Sequence, residues 1–259
     1  MLKEYKVNAI TPIYKEEFSS IEQFSISHSL DQLKNISHTF FHPKDINLSY
    51  YINLFPNSKF MSLPNEFFSS QRHYNQLCYE IEFYKLFSEY SHILILQPDA
   101  IVANADLLKD WCQSDFAYVG GPESNLFSYD IRGIPPFDKL SDSLHPVKLQ
   151  GLNGGLSLRR VDKIIEALEE YPELTSFFRA YSGGVGEDIF FCLLARVTNL
   201  DFKMPNEVAA SKFSITCNFK QWMDFNSNEL PFGFHAWYKN YEDENFVLNL
   251  LRSQINEVA

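Results

Sequence analysis

Asp99 ends an apolar run, His92-Ile-Leu-Ile-Leu-Gln-Pro-Asp99, and is followed by Ala100. A carboxylate in that place can hold Mg2+ or Mn2+ through one or two oxygens, leaving the other coordination positions to water and phosphate. It can equally cap the turn that follows. Gly151-Leu-Asn153-Gly154-Gly155-Leu-Ser157 is a second candidate. Paired glycines let backbone approach a ligand, and Asn153 both donates to and accepts from hydroxyls; a tight turn before a strand reads the same way. Glu187-Asp188, behind Gly183-Gly-Val-Gly186, places two acids at the start of a helix. The helix dipole favours acids there, and so does general-base chemistry, in which a carboxylate in a cleft takes the proton of an attacking hydroxyl. Neighbouring helical residues point about 100° apart, so one of the two faces a substrate, and the sequence leaves open which. His235, in Pro231-Phe-Gly-Phe-His235-Ala-Trp237, is either a packed residue among aromatics or a donor to metal or phosphate.

The elements that must position these groups follow from periodicity. Residues 6–14 read as a first strand broken by Pro12, and Thr39-Phe40-Phe41, closed by His42-Pro43, as a second. Residues 17–34 predict a helix with Phe18, Ile21, Phe24, Ile26, Leu30 and Leu33 on its apolar face, and residues 69–90 predict one long helix. His92–Leu96 is apolar throughout, as in a strand covered on both faces. A short helix at 106–111 and a strand near 116–119 come next. Residues 120–150 show little periodicity and predict a long functional loop. Leu156-Ser157-Leu158 predicts a short strand, followed by a helix over 161–171, a helix opened by Gly183–Gly186, and a last helix over 242–255. This alternation gives the fold class: α/β, one domain over 1–259, with a mostly parallel, Rossmann-like central sheet flanked by helices. Ligands then bind beyond the carboxyl ends of the strands, which selects Thr11–Tyr14, His42 and Gln97–Asp99.

The bulk numbers limit the partners. Hydrophobic residues make up 45% and charged residues 21% of the 259, as in ordinary globular proteins. Net charge is −11, with no basic stripe, so nucleic acid is excluded as a partner and anionic lipid is disfavoured. The four cysteines, Cys78, Cys112, Cys192 and Cys217, form no C-x-x-C pair and are expected as free thiols in a reducing compartment. No run approaches the ~18 apolar residues of a membrane span. The expected location is cytoplasmic, with at most peripheral contact at the inner face of the membrane.

Taken in order, several stretches resemble a bacterial family from polysaccharide and lipopolysaccharide clusters whose members look like GT-A-fold glycosyltransferases. They are Thr11-Pro-Ile-Tyr14, Phe67-Phe-Ser-Ser70, His73-Tyr-Asn-Gln76, Ile93–Ala100, Trp111-Cys112, Tyr118-Val-Gly-Gly-Pro122, Asn153–Arg159, Glu187-Asp188 and Leu230–Trp237. The resemblance implies a nucleotide-binding half over about 1–120 and an acceptor-binding half over about 121–259. It implies that Thr11, Pro12, Ile13 and Tyr14 contact the nucleotide base with Asn75 nearby, and that Gln97 and Asp99 stand where this fold carries its acidic D-x-D motif. Asn153, Gly154 and Gly155 would meet the donor sugar, Glu187 or Asp188 would be the base, and Asp99 and His235 would hold Mn2+ or Mg2+. Two departures stand out: one acid in Gln97-Pro98-Asp99 instead of two, and Gly121 where an alanine is expected, a change that should matter little.

The chemistry so implied is attack of an acceptor hydroxyl on a nucleotide-activated sugar, UDP-linked by expectation, with inversion at the anomeric carbon. The acceptor would be a glycan or lipid-linked glycan. The alternatives are a non-catalytic nucleotide-sugar or glycan-binding protein on a decayed transferase scaffold, and a nucleotidyltransferase. The second lacks the glycine-rich loop after strand one that cradles a triphosphate. Neither G-x-x-x-x-G-K-[ST] nor G-x-S-x-G occurs.

Overall fold

The computed structural model describes residues 5–130, 146–180 and 186–258. Its strands are β1 (Val7–Pro12), β2 (Ser37–Pro43), β3 (Lys59–Leu63), β4 (His92–Leu96), β5 (Ala100–Val102), β6 (Tyr118–Tyr129), β7 (Val147–Arg160), β8 (Ser214–Ile215) and β9 (Gly233–His235). Every residue of β1 and β4 is buried, as expected of strands with helices on both faces. They form the centre of a six-stranded sheet ordered β3-β2-β1-β4-β7-β6. The β3-β2-β1-β4 part is parallel, and β7 and β6 add to it antiparallel. The fold class read from the sequence is the one observed.

Two layers of core cover this sheet. On one face Ile93 and Ile95 pack with Ile164, Leu168, Phe190 and Leu193. On the other, Leu94 and Leu96 pack with Ile26, Phe40, Tyr51 and Phe213. Alternation along β4 sends successive side chains to opposite layers, so one apolar run feeds both cores.

Several predicted elements differ. The stretch 69–90 is two short helices, Gln71–Leu77 and Ile81–Lys85. Tyr79 and Glu80 donate to carbonyls three residues back, at 3.1 and 2.9 Å, which tightens and ends the first helix. The Tyr84 hydroxyl then bonds the Cys78 carbonyl at 3.0 Å. The predicted loop at 120–150 holds the arms of a long antiparallel pair, β6 and β7; its middle, 131–145, lies outside the described residues. Leu156–Leu158 is the inner part of β7 rather than a short strand. The irregular alternation that hid this pair comes from register shifts between Val119 and Gly121 and between Pro122 and Leu126. Gly121 is not a neutral position: an alanine methyl there would lie 2.5 Å from Thr216 Oγ1. Of Gly183–Gly186, only Gly186 is among the described residues.

Helix Ser20–Gln32 starts with a capping box, Ser19 and Glu22, and the Glu22 carboxylate also pairs with Lys15. Its buried face differs from the predicted one: it carries Glu22, Ser25 and Ser29 with Ile26, while Phe24 is exposed. Those serines have structural partners. Trp237 Nε1 donates to Ser25 Oγ at 3.0 Å, and the Val102 amide donates to Ser29 Oγ at 2.9 Å. They anchor a second, smaller sheet ordered β5-β9-β8, which packs on the C-terminal helix Tyr241–Val258 through Phe234, Val247 and Leu251. No helix among the described residues is long and apolar enough to cross a membrane, and all four cysteines are free.

Candidate functional site

The carboxyl ends of β1 and β4, the middle of β7 and the start of helix Glu187–Val197 enclose a cavity of about 800 Å³. Of the residues selected by sequence, Pro12, Tyr14, Asn75, Gln97, Asp99, Asn153, Gly154, Gly155, Glu187, Asp188 and His235 line it. Thr11, Ile13 and His42 do not. Thr11 is fully buried beneath the wall, its hydroxyl 3.0 Å from His38 Nε2. Burial pushes His38 down to about 3, so the imidazole there is neutral. Ile13 is a core residue, and His42 Nδ1 donates to the Pro43 carbonyl at 2.9 Å. Strand alternation explains the pattern: Pro12 faces the cavity, so its neighbours point into the core layers.

Asp99 and His235 meet although they come from distant parts of the chain. The turn after β4 closes with the Ala100 amide donating to the Gln97 carbonyl, and the Ala236 amide donates to the Asp99 carbonyl at 2.8 Å. Antiparallel pairing of β5 with β9 sets Ala100 opposite His235. His235 Nε2 thereby reaches 3.2 Å from Asp99 Oδ1. Burial alone would raise the Asp99 carboxyl; the His235 contact and the positive potential of Lys239 outweigh it and hold the group below the usual carboxylate range. Both imidazole nitrogens are buried without a well-formed hydrogen bond, a cost that proteins rarely leave uncompensated. Gly155 makes the room: a Cβ there would sit 2.1 Å from His235 Nε2.

Behind Gly154 and Glu187, Arg159 is wholly buried. Its guanidinium donates to Glu187 Oε1 at 2.6 Å, to the Tyr84 hydroxyl at 2.9 Å and to Ser157 Oγ at 3.0 Å. Glu187 is therefore a neutralised member of a buried network. Asp188 differs. Its Oδ1 accepts from its neighbour Ile189 N at 2.8 Å and its Oδ2 from Gly154 N at 3.2 Å. Burial first, and the charge of Glu187 second, raise its carboxyl to about 7. A carboxyl tuned to that range in a cleft can take up and release a proton near neutral pH.

Among the lining residues that escaped the sequence reading are Glu123, Tyr238 and Lys239. Glu123 Oε1 accepts from Asn153 Nδ2 at 2.7 Å, and Asn153 Oδ1 accepts from Gly155 N at 2.9 Å. Lys239 is the one lysine or arginine among the described lining residues. The signal for Glu123 lay in its place just after Tyr118–Pro122, inside a segment read as loop. Lys239 had a comparable signal, two residues beyond the aromatic run around His235.

Comparisons with known proteins come down on the same side. A family model described as Protein of unknown function (DUF5672) matches residues 57–235. No curated protein matches the chain in sequence. Among solved structures, the chain is similar to an active-site mutant of LgtC, with a TM-score of 0.56 and 12% identity over 95% of each chain. Galactosyltransferase LgtC in complex with donor and acceptor sugar analogs gives 0.53 and 14% over 95% of each chain. Mouse xyloside xylosyltransferase 1 gives 0.52 and 12%, covering 89% of this chain and 97% of that one. At such identities the likeness shows the fold, which is that of GT-A glycosyltransferases.

Proposed function

The chain belongs to the DUF5672 family, and from that premise and the cavity just described we propose that it is a glycosyltransferase acting on a nucleotide-sugar donor and a glycan or lipid-linked glycan acceptor. The observation that carries the reading is that the Asp99–His235 pair and Asp188 line one cavity. One wall suits a diphosphate and the other a proton acceptor.

A divalent cation fits the first wall. Asp99 is ionised there and His235 has buried, unsatisfied ring nitrogens. Among the described residues no cluster of three or more metal-binding side chains exists, so Asp99 and His235 would hold Mn2+ or Mg2+ together with phosphate oxygens and water, as Mg2+ sites on phosphates commonly do. When bound, the cation would stabilise charge on the departing diphosphate. Lys239 adds a second positive charge on the same side. Tyr14, which is 57% exposed at the cavity rim, offers a flat face to a nucleobase.

The acceptor hydroxyl is deprotonated by Asp188. Of the two acids left open by the sequence, Glu187 is committed to Arg159, whereas Asp188 has only backbone donors and lone pairs to spare. Direct attack assisted by Asp188 would invert the anomeric carbon.

Incubation with UDP-, GDP- and dTDP-sugars and Mn2+, followed by detection of released nucleoside diphosphate, tests this reading. Release by the native chain and its loss in Asp99→Ala and Asp188→Asn are expected. Release that survives both substitutions would overturn the assignment.

A further inference from the structure

We propose that the sugar-binding side of this cavity selects neutral glycosyl groups and rejects sugars bearing a carboxylate, and that Glu123 enforces the choice. The inference rests on the transferase reading and narrows its substrate class.

The observation is a charge imbalance confined to one side. Glu187 is matched by Arg159, which is buried behind it and has no exposed surface. Lys239 lies on the Asp99 side, where its positive potential acts on that carboxylate. Glu123, bonded to Asn153 and close to Gly151, has no cationic partner among the described residues, and its field helps to raise Asp188. A carboxylate on the donor sugar would therefore meet an unpaired acid and, among the described residues, no counter-ion on that side, where like charges in a cleft repel.

The same groups suit hydroxyls. Asn153 is locked: its Nδ2 donates to Glu123 Oε1 at 2.7 Å and its Oδ1 accepts from Gly155 N at 2.9 Å. Glu123 is anchored in turn, since Gln150 Nε2 donates to its backbone carbonyl. The second Glu123 oxygen only accepts and the second Asn153 N–H only donates, so together they match adjacent hydroxyls of a neutral ring. A uronate in place of a hydroxymethyl group supplies an acceptor where the wall needs a donor. Discrimination of this kind, from groups left wrongly paired, is large.

The experiment is calorimetric titration of the full chain with Mn2+, first with UDP, GDP and dTDP. The matched pair for a nucleotide that binds follows: UDP-glucose against UDP-glucuronate, GDP-mannose against GDP-mannuronate, or dTDP-glucose against dTDP-glucuronate. The neutral sugar should bind at least as well as the free diphosphate, and the uronate on the order of 100-fold more weakly. Glu123→Gln keeps an acceptor for Asn153 and should shrink that gap to less than about tenfold. The comparison in the native chain needs no variant, and Glu123→Asp, which keeps the charge and the gap, is the control. A uronate that binds as tightly as the neutral sugar overturns the inference while leaving a nucleotide-binding site in place. An unchanged gap in a folded Glu123→Gln overturns the role of Glu123. Failure of all three diphosphates to bind overturns the donor-site reading itself, and this inference with it.

Discussion

Arg159 Nη2 lies 2.6 Å from Glu187 Oε1, and both side chains are almost wholly out of solvent. The pair joins β7 to the helix that carries Asp188, so it sets both the position and the charge of the wall that holds the proposed proton acceptor. Gly154 is part of the arrangement, because a Cβ there would lie 2.9 Å from Arg159 Nη2 and 3.0 Å from Glu187 Oε1.

Breaking this pair from either end strands a buried charge. Arg159→Met and Glu187→Gln should each destabilise the fold by ~3–5 kcal/mol. The double variant should lose clearly less than the sum, because it removes both charges. Urea unfolding of the three variants measures the coupling, and simple additivity would show that the pair acts separately on each side.

The raised carboxyl of Asp188 predicts a pH profile. The group must be ionised to accept a proton, so kcat/KM should fall on the acid side of about pH 7. Glu187→Gln removes the neighbouring negative charge and leaves Arg159 positive, so the acid limb should move to lower pH. A limb that stays in place would assign it to another group.

The same shift makes a statement about stability with a definite sign. Asp188 holds its proton more tightly folded, at about 7, than unfolded, at its ordinary 3.8. Its contribution is complete below about pH 4 and is lost as pH rises through 7. The native chain should therefore lose stability relative to Asp188→Asn across that window, as followed by thermal unfolding at several pH values.

For the cation site, the expected result is loss of Mn2+-dependent nucleotide binding. Asp99→Ala removes the charged donor, and affinity for UDP with Mn2+ should drop by at least about 100-fold. Weaker binding without Mn2+ should be much less affected. Equal losses with and without metal would point to a direct contact with the nucleotide instead.

Gly155→Ala offers a test that leaves every donor group in place. The added methyl would lie 2.1 Å from His235 Nε2, so the ring must turn away or the strand must shift. Stability should fall by ~1–3 kcal/mol, with Mn2+ affinity falling alongside it in the same titration.

What the sequence revealed depended on how local the signal was. β1 and β4 declare themselves as apolar runs, and Asp99 follows from the rule that ligands gather at strand ends. Glu187-Asp188 was visible as a pair, but not which acid was free, because that depends on Arg159, far away on β7. Thr11–Tyr14 was selected as a block, and of it Thr11 and Ile13 are buried away from the cavity that Pro12 and Tyr14 reach, while His42, selected at the end of the second strand, bonds its neighbour's carbonyl instead. Glu123 was lost in a segment whose register shifts break the two-residue period of β6. The serines of helix Ser20–Gln32 hid their role as well, since their partners, Val102 and Trp237, are set by tertiary packing.

The small sheet carries one more consequence. The β5–β9 ladder sets Ala100 opposite His235, yet it joins residues about half the chain apart in sequence. Contacts of that kind form late, since a long loop must close before they repay its entropy. During synthesis the parallel strands β1 to β4 emerge first, and the imidazole that completes the cation site emerges long after them. A nascent or C-terminally shortened chain should thus carry the aspartate without its partner, so on the proposed reading capture of Mn2+ would report that β9 has docked beside β5.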